Sequence, residues 1–147
     1  MRSILPRLLA CVALTLTPSV SGATAQPDPD PARTAAESWV GVWRNTNNTV
    51  HIKAVPCGDN SMCGTVVWAN DQARSDVAAK GRQLIGMQLF RSFHQTSAME
   101  WQGKVFVPDI GSTFSGKIKL TDRNNLVAVG CFFAGFGCQT RHWSRIY

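Results

Sequence analysis

Alternation between apolar and polar residues is clearest from residue 113 to residue 120. One face carries Phe114, Gly116, Ile118 and Leu120, and the other carries Thr113, Ser115, Lys117 and Lys119. Residues 49–56 repeat the pattern, with Val50, Ile52 and Ala54 on the apolar side. A period of two predicts strands that have one buried face and one solvated face.

Similar short segments, separated by turn-forming residues, follow one another along the chain. The predicted strands are 41–45, 49–56, 63–69, 83–90, 104–108, 113–120, 125–132 and 138–146. Residues 70–82 and 91–103 are predicted to be long polar connections, and residues 35–40 a short helical turn. No stretch has a helical period long enough to predict a core helix.

Eight antiparallel strands in about 110 residues leave two edges that must be paired or covered. Closure into a small up-and-down β-barrel removes both edges, and an eight-strand barrel has room for side chains or for one small ligand. An open sandwich is the alternative. We expect the barrel, because Trp43 and Trp143 lie in the first and last predicted strands.

The first 36 residues differ in character from this domain. Arg2 and Arg7, an apolar run over 8–16 and the small residues 23–25 are typical of a secretory signal peptide, which is too short to span a bilayer. Residues 26–36, with three prolines, form a stiff polar spacer before a single domain at 37–147. A buried N-terminal helix and a lipidated Cys11 are less favoured interpretations. We therefore expect cleavage near Ala25 and a periplasmic or secreted protein.

Composition limits the partners. The chain has 15 Lys and Arg against 9 Asp and Glu, a formal net charge of +6. The predicted leader removes two Arg and no acidic residue, which leaves +4 on residues 26–147. The remaining basic residues form no run, so we expect no nucleic-acid partner. A hydrophobic content of 44% with 16% charged residues excludes a disordered chain.

Four cysteines remain after the predicted leader: Cys57, Cys63, Cys131 and Cys138. An even number in an oxidising compartment predicts disulfides, and four cysteines allow three pairings. We favour Cys57–Cys63 and Cys131–Cys138, each of which would pin one hairpin. Their spacings are wider than those of a structural zinc site, and no metal or other cofactor is expected.

Register supports the first of these pairs. If Cys57 lies directly opposite Cys63, Ala54 pairs with Val66 and Ile52 pairs with Trp68. All four partners then share one apolar face, which is expected to be the core face.

Gly41–Trp43 begins the first predicted strand and Trp143–Arg145 lies in the last. In a closed barrel these strands are neighbours, so an Arg stacked on a Trp would close one end through a cation–π contact and hydrogen bonds. The pattern resembles the lipocalin and calycin signature. Arg141 competes with Arg145 for this role, and a core Trp beside an ordinary surface Arg is the alternative.

A second resemblance spans residues 41–145. The matching segments, in order, are 41–43, 57–59, 63–64, 66–68, Asp71, Gly86, 101–103, 107–116, 130–131 and 143–145. The chain resembles a bacterial exported family known only as domain of unknown function 2147, although Phe114 and Ile85 stand where that family often has Tyr and Cys. The resemblance implies a lipocalin-like barrel in the cell envelope and no particular reaction.

Three functional hypotheses follow. The first is a binding module that holds a small, partly apolar molecule in the barrel mouth, lined by Trp68, Trp101, Phe106 and Phe114. The second is an envelope interaction module with a filled barrel, which acts through its outer surface or through Phe132, Phe133 and Phe136.

The third and least favoured hypothesis is a hydrolase that uses Asp71 or Asp109 with a nearby His. Residues 108–111 are more typical of a structural turn. His51, His94 and His142 have no spacing typical of a metal site, and nothing in the sequence brings a catalytic triad together. The sequence therefore favours binding over catalysis.

Overall fold

The computed structural model describes residues 37–132 and 137–147. The predicted signal peptide, the spacer and the hairpin tip with Phe133 and Phe136 lie outside these residues. No helix in the described ranges has the length and apolarity needed to cross a membrane.

The described residues form a closed barrel of eight strands in chain order, preceded by a 3₁₀ turn at Glu37–Trp39. The strands are β1 (Gly41–Asn45), β2 (Val50–Pro56), β3 (Ser61–Ala69), β4 (Gln88–Ser97), β5 (Glu100–Val107), β6 (Ser112–Asp122), β7 (Asn125–Cys131) and β8 (Gln139–Arg145). All neighbours are antiparallel, and β8 pairs with β1 so that Arg145 lies opposite Trp43. The predicted up-and-down barrel is confirmed.

The predicted strand at 83–90 and the predicted connection at 91–103 are wrong. Strand β4 begins at Gln88 and continues to Ser97, and β5 begins at Glu100. Pairing along β4 is irregular between Arg91 and His94, and Ser92 has a positive φ of 48°. This irregularity interrupts the period of two that would have marked the strand.

The predicted connection at 70–82 contains an unpredicted helix, α1 (Asp71–Ala78). Asn70 caps it by accepting a hydrogen bond from the backbone N–H of Ala73 at 2.9 Å. Only Val77 of this helix is buried. A helix with such a narrow buried stripe gives almost no hydrophobic period, which is why the sequence pattern did not indicate it.

Both predicted disulfides, Cys57–Cys63 and Cys131–Cys138, are present. The predicted register of the first hairpin is wrong by two residues: Ala54 lies opposite Gly64, and Ile52 lies opposite Val66. A shift of two keeps each side chain on its expected face.

Trp68 departs from its expected face. The β2–β3 pairing shifts next to Ile52, so that Val67 is an extra residue and Trp68 lies opposite His51. Trp68 is therefore on the outer surface, 41% exposed, instead of on the core face. The local irregularity reverses the direction of one side chain, which simple alternation does not predict.

Alternate connections of the barrel lie at opposite ends. The β2–β3, β4–β5 and β6–β7 turns and the 3₁₀ turn lie at one end, here called the closed end. The β1–β2 turn, α1, the β5–β6 turn, the end of β7 and the start of β8 lie at the other, the open end. The backbone N–H of Val42 donates to the carbonyl of Tyr147 at 2.7 Å, so both ends of the described domain meet at the closed end.

Candidate ligand-binding cavity at the open end

Arg145 seals the closed end. Its guanidinium lies 4.3 Å from the ring centroid of Trp43. It donates hydrogen bonds to the carbonyls of Val40, Ser38 (2.6 Å) and Arg123 (2.8 Å). Partial burial lowers the pKa of this guanidinium. The arrangement ties β8 to the segment before β1 and leaves Arg141 outside the closing contact.

Large aromatic side chains fill the closed half of the barrel. Trp39 reaches in from the 3₁₀ turn and packs against Phe93 and Trp101, with ring centroids 6.0 Å apart in both cases. The indole of Trp43 donates to the carbonyl of Trp39 at 2.8 Å. All four side chains are essentially inaccessible to solvent. This half of the barrel therefore has no room for a ligand.

A cavity of about 360 Å³ opens at the other end. Phe90 and Trp143 form its floor, where their rings meet edge to face at 5.7 Å. Its walls and rim are the apolar residues Leu89, Val105, Phe106, Val107, Ile110, Phe114, Ala128, Gly130 and Phe132. The interior is thus filled at one end and hollow at the other.

Three polar side chains also line this cavity: Asp109, Gln139 and Arg141. Gln139 and Arg141 are on the same side of β8 as Trp143, because they alternate along the strand and lie opposite Gly130 and Ala128 of β7. One Arg141 nitrogen lies 3.4 Å from Oε1 of Gln139 and donates to the carbonyl of Thr140 at 3.1 Å. Asp109 belongs to the β5–β6 turn.

The structure brings two of the four predicted lining residues to the cavity. Phe114 is partly buried and packs edge to face against Phe132 at 4.5 Å, and Phe106 lies 4.7 Å from the guanidinium of Arg91. Trp101 belongs to the filled closed half instead.

Trp68 stacks outside the barrel on His51, with ring centroids 4.3 Å apart. The His51 ring also contacts Oδ1 of Asn48 at 2.7 Å. Partial burial, and secondly the positive charge of Arg44, lowers the pKa of His51. These residues form a separate feature of the outer surface and do not line the cavity.

The carboxylates of the hydrolase hypothesis are not assembled with a base. Asp71 begins α1 and pairs with Arg74 on the surface. Asp109 lines the cavity, but no His is among the described residues around it. Within the described ranges, no three His, Cys, Asp or Glu side chains are grouped as a metal site would require.

Sequence reasoning missed Gln139, Arg141 and Trp143 as cavity residues. The available signal was the alternation of these three positions along β8, with Trp143 marking the inward face. It was weak, because the inward positions Gln139 and Arg141 are as polar as Thr140 and His142 on the outer face, so the usual contrast between an apolar and a polar side is lost.

A closed eight-strand barrel with an Arg stacked on a Trp at one sealed end and a cavity at the other defines a lipocalin-like barrel. The chain belongs to the bacterial family described as uncharacterized protein DUF2147, whose model matches residues 41–145.

Two solved structures resemble this fold. Protein HP1028 from Helicobacter pylori, described as a member of the lipocalin family, is 11% identical with a TM-score of 0.60, over 74% of this chain and 82% of that one. A redesigned β-barrel is 10% identical with a TM-score of 0.46, over 77% and 95% of the two chains. No curated protein sequence matches the chain.

Proposed function

We propose that this protein is an exported binding module that holds one small, partly apolar molecule in its open-end cavity. The observation that carries the proposal is the cavity itself: about 360 Å³, mostly apolar, with three polar side chains in its lining. Ligand sites are typically concave and apolar with a few polar groups that fix orientation. The lipocalin-like fold is compatible with this use.

The size and shape of the cavity restrict the ligand. Its volume is near the lower limit of about 300–1,000 Å³ that is usual for such sites. Phe90 and Trp143 block passage toward the closed half, so the ligand enters and leaves through the open end. Burial of its apolar surface supplies the main favourable term.

A neutral fluorescent probe, N-phenyl-1-naphthylamine, tests this proposal. We expect saturable binding at one site per chain. Gly130→Phe should weaken probe binding at least about tenfold. The new ring would occupy space that one ring of the probe fills, and leaving a ring of that size unburied costs more than about 1.4 kcal/mol. A Cβ at Gly130 meets no atom within 4 Å, so the new ring can enter the cavity without displacing the backbone.

Thr140→Phe is the matched control, because Thr140 is exposed on the outer face of β8, opposite Val129. It adds the same ring outside the cavity and should leave probe binding unchanged. Equal binding by folded Gly130→Phe and by the wild type would contradict the proposal. A folded wild-type protein that binds no probe would instead favour the alternative, in which the exposed rim residues Ile110 and Phe132 contact an envelope protein.

A further inference from the structure

Building on the proposed function, we infer that the ligand carries a carboxylate, which pairs with Arg141 while its apolar body occupies the cavity. Arg141 is on the inward side of β8, opposite Ala128, at the level where the cavity meets solvent. An amphiphile that entered tail first would place its head group at this level.

Arg141 is available for such a pair. Arg141 and Arg145 were both candidates for the cation–π contact that seals the closed end, and Arg145 makes that contact with Trp43. The hydrogen bonds of the Arg141 guanidinium go to Gln139 and Thr140 on its own strand. No carboxylate of the described residues lies within ion-pairing distance of it. A guanidinium matches the geometry of a carboxylate better than any other side chain.

The indole N–H of Trp143, in the cavity floor, is not a second head-group contact. Trp143 is 7% exposed, and its indole N–H has no hydrogen-bond acceptor in the described ranges. The indoles of Trp39 and Trp101 also lack acceptors, but they lie in the filled half. Because the Trp143 nitrogen is as inaccessible to water as those of Trp39 and Trp101, it lies beneath the surface of the cavity floor and offers a ligand no contact. The head-group contact is therefore left to Arg141.

The lining carries one guanidinium and one carboxylate and is formally neutral, but the placement of the two groups favours an anion. Strand β8 presents two donor-bearing side chains to the cavity, those of Gln139 and Arg141. Asp109, the one carboxylate of the lining, belongs to the exposed β5–β6 turn. An anionic head group would therefore meet two neighbouring donor-bearing side chains on one strand, whereas a cationic head group would meet only Asp109 in the turn.

Three probes with the same ten-carbon tail separate these possibilities: decanoate, decanol and decyltrimethylammonium, each below its micelle concentration and competing with N-phenyl-1-naphthylamine. We expect decanoate to bind about fivefold more tightly than decanol, the scale of one partly exposed charge pair. The ammonium compound should bind more weakly than decanol. Added salt should reduce the preference for decanoate.

Arg141→Gln should abolish the preference for decanoate over decanol, because it should weaken the binding of decanoate much more than that of decanol. Arg141→Lys should retain part of the preference. Arg44→Gln is the matched control, because it removes the same charge from the exposed outer face of β1 and should retain the whole preference.

A wild type that binds decanoate and decanol equally would overturn the inference, as would a preference that survives in Arg141→Gln. Preference for the ammonium compound would assign the head-group contact to Asp109 and also overturn it. Each of these results still shows a ligand in the cavity, so the proposed function stands or falls separately, on the neutral probe and Gly130→Phe.

Discussion

Two inward-facing glycines, Gly103 on β5 and Gly116 on β6, make room for the aromatic packing of the closed half. A Cβ at Gly103 would lie 2.7 Å from Cδ2 of Phe93 and 2.8 Å from the carbonyl oxygen of Arg91. A Cβ at Gly116 would overlap a methyl group of Val105. Because backbone and a fully buried ring cannot move aside easily, even one methyl group at Gly103 should strain the barrel.

Gly103→Ala should therefore lower the free energy of unfolding by about 1–3 kcal/mol, the usual cost of overpacking. Gly130→Ala is the control, since its Cβ meets open space, and should change stability by less than about 1 kcal/mol in either direction. Urea denaturation of both variants gives the comparison. Equal stability of the two variants would show that β5 can shift to accept the methyl group.

The position of an individual side chain was predictable only where the pairing of two strands determines it. The sequence indicated an Arg stacked on Trp43 but left Arg141 and Arg145 as competitors, because both are an even number of residues from Trp143 and share its face. Pairing of β8 with β1 places Arg145 beside Trp43 and leaves Arg141 at the cavity. Trp68 was unpredictable for a different reason, since an inserted residue reversed its direction.

At the scale of elements, the two disulfides lie in hairpins at opposite ends of the barrel. Cys57–Cys63 spans the β2–β3 turn at the closed end, and Cys131–Cys138 joins β7 to β8 beside the cavity. Both close short loops, so each should stabilise the fold by about 2 kcal/mol. Only the second bridge is next in sequence to cavity residues, the rim residue Phe132 and the lining residue Gln139.

Replacing each pair by Ser should separate stability from binding. Cys131→Ser with Cys138→Ser should lower both the free energy of unfolding and the affinity for N-phenyl-1-naphthylamine. Cys57→Ser with Cys63→Ser should lower stability by a similar amount and leave that affinity unchanged. Probe titration in native buffer and urea denaturation measure the two quantities. Equal loss of affinity in both variants would contradict the assignment of the cavity to the open end.

Element boundaries were predictable where alternation was regular, as in β6 and β7, and not where tertiary contacts interrupted it. In β4 the neighbouring Leu89 and Phe90 are both buried, and the strand is irregular before Phe93. In α1 the polar surface residues conceal the single buried Val77. Both cases depend on contacts with other strands, which a local pattern does not contain.

For the molecule as a whole, the barrel was predictable from the number of strands and from the tryptophans in its first and last strands. Its uneven filling was not. Trp39 precedes the first strand, and only the closed fold carries its ring to Phe93 and Trp101. The division into a filled half and a hollow half is therefore a property of the assembled barrel.

Export, which the proposed function includes, is also a property of the whole chain. Two formed disulfides are typical of proteins in an oxidising compartment. When the sequence from Met1 to Tyr147 is expressed in a bacterial host, we expect the protein to be recovered outside the cytoplasm. Its intact mass should match residues 26–147. Cytoplasmic recovery with residues 1–25 still attached would contradict export. The double variant Arg2→Glu with Arg7→Glu should reduce export, because it removes the positive charge at the start of the predicted signal peptide.

The hydrogen bond between Val42 and Tyr147 places both termini of the described domain at the sealed base, a whole strand length from the mouth. A purification tag, a fluorescent reporter or a surface linker attached at Tyr147 therefore joins the barrel at the end opposite the mouth. A sensor chip that captures the protein through a C-terminal tag would therefore leave the mouth of the cavity accessible to ligands in solution.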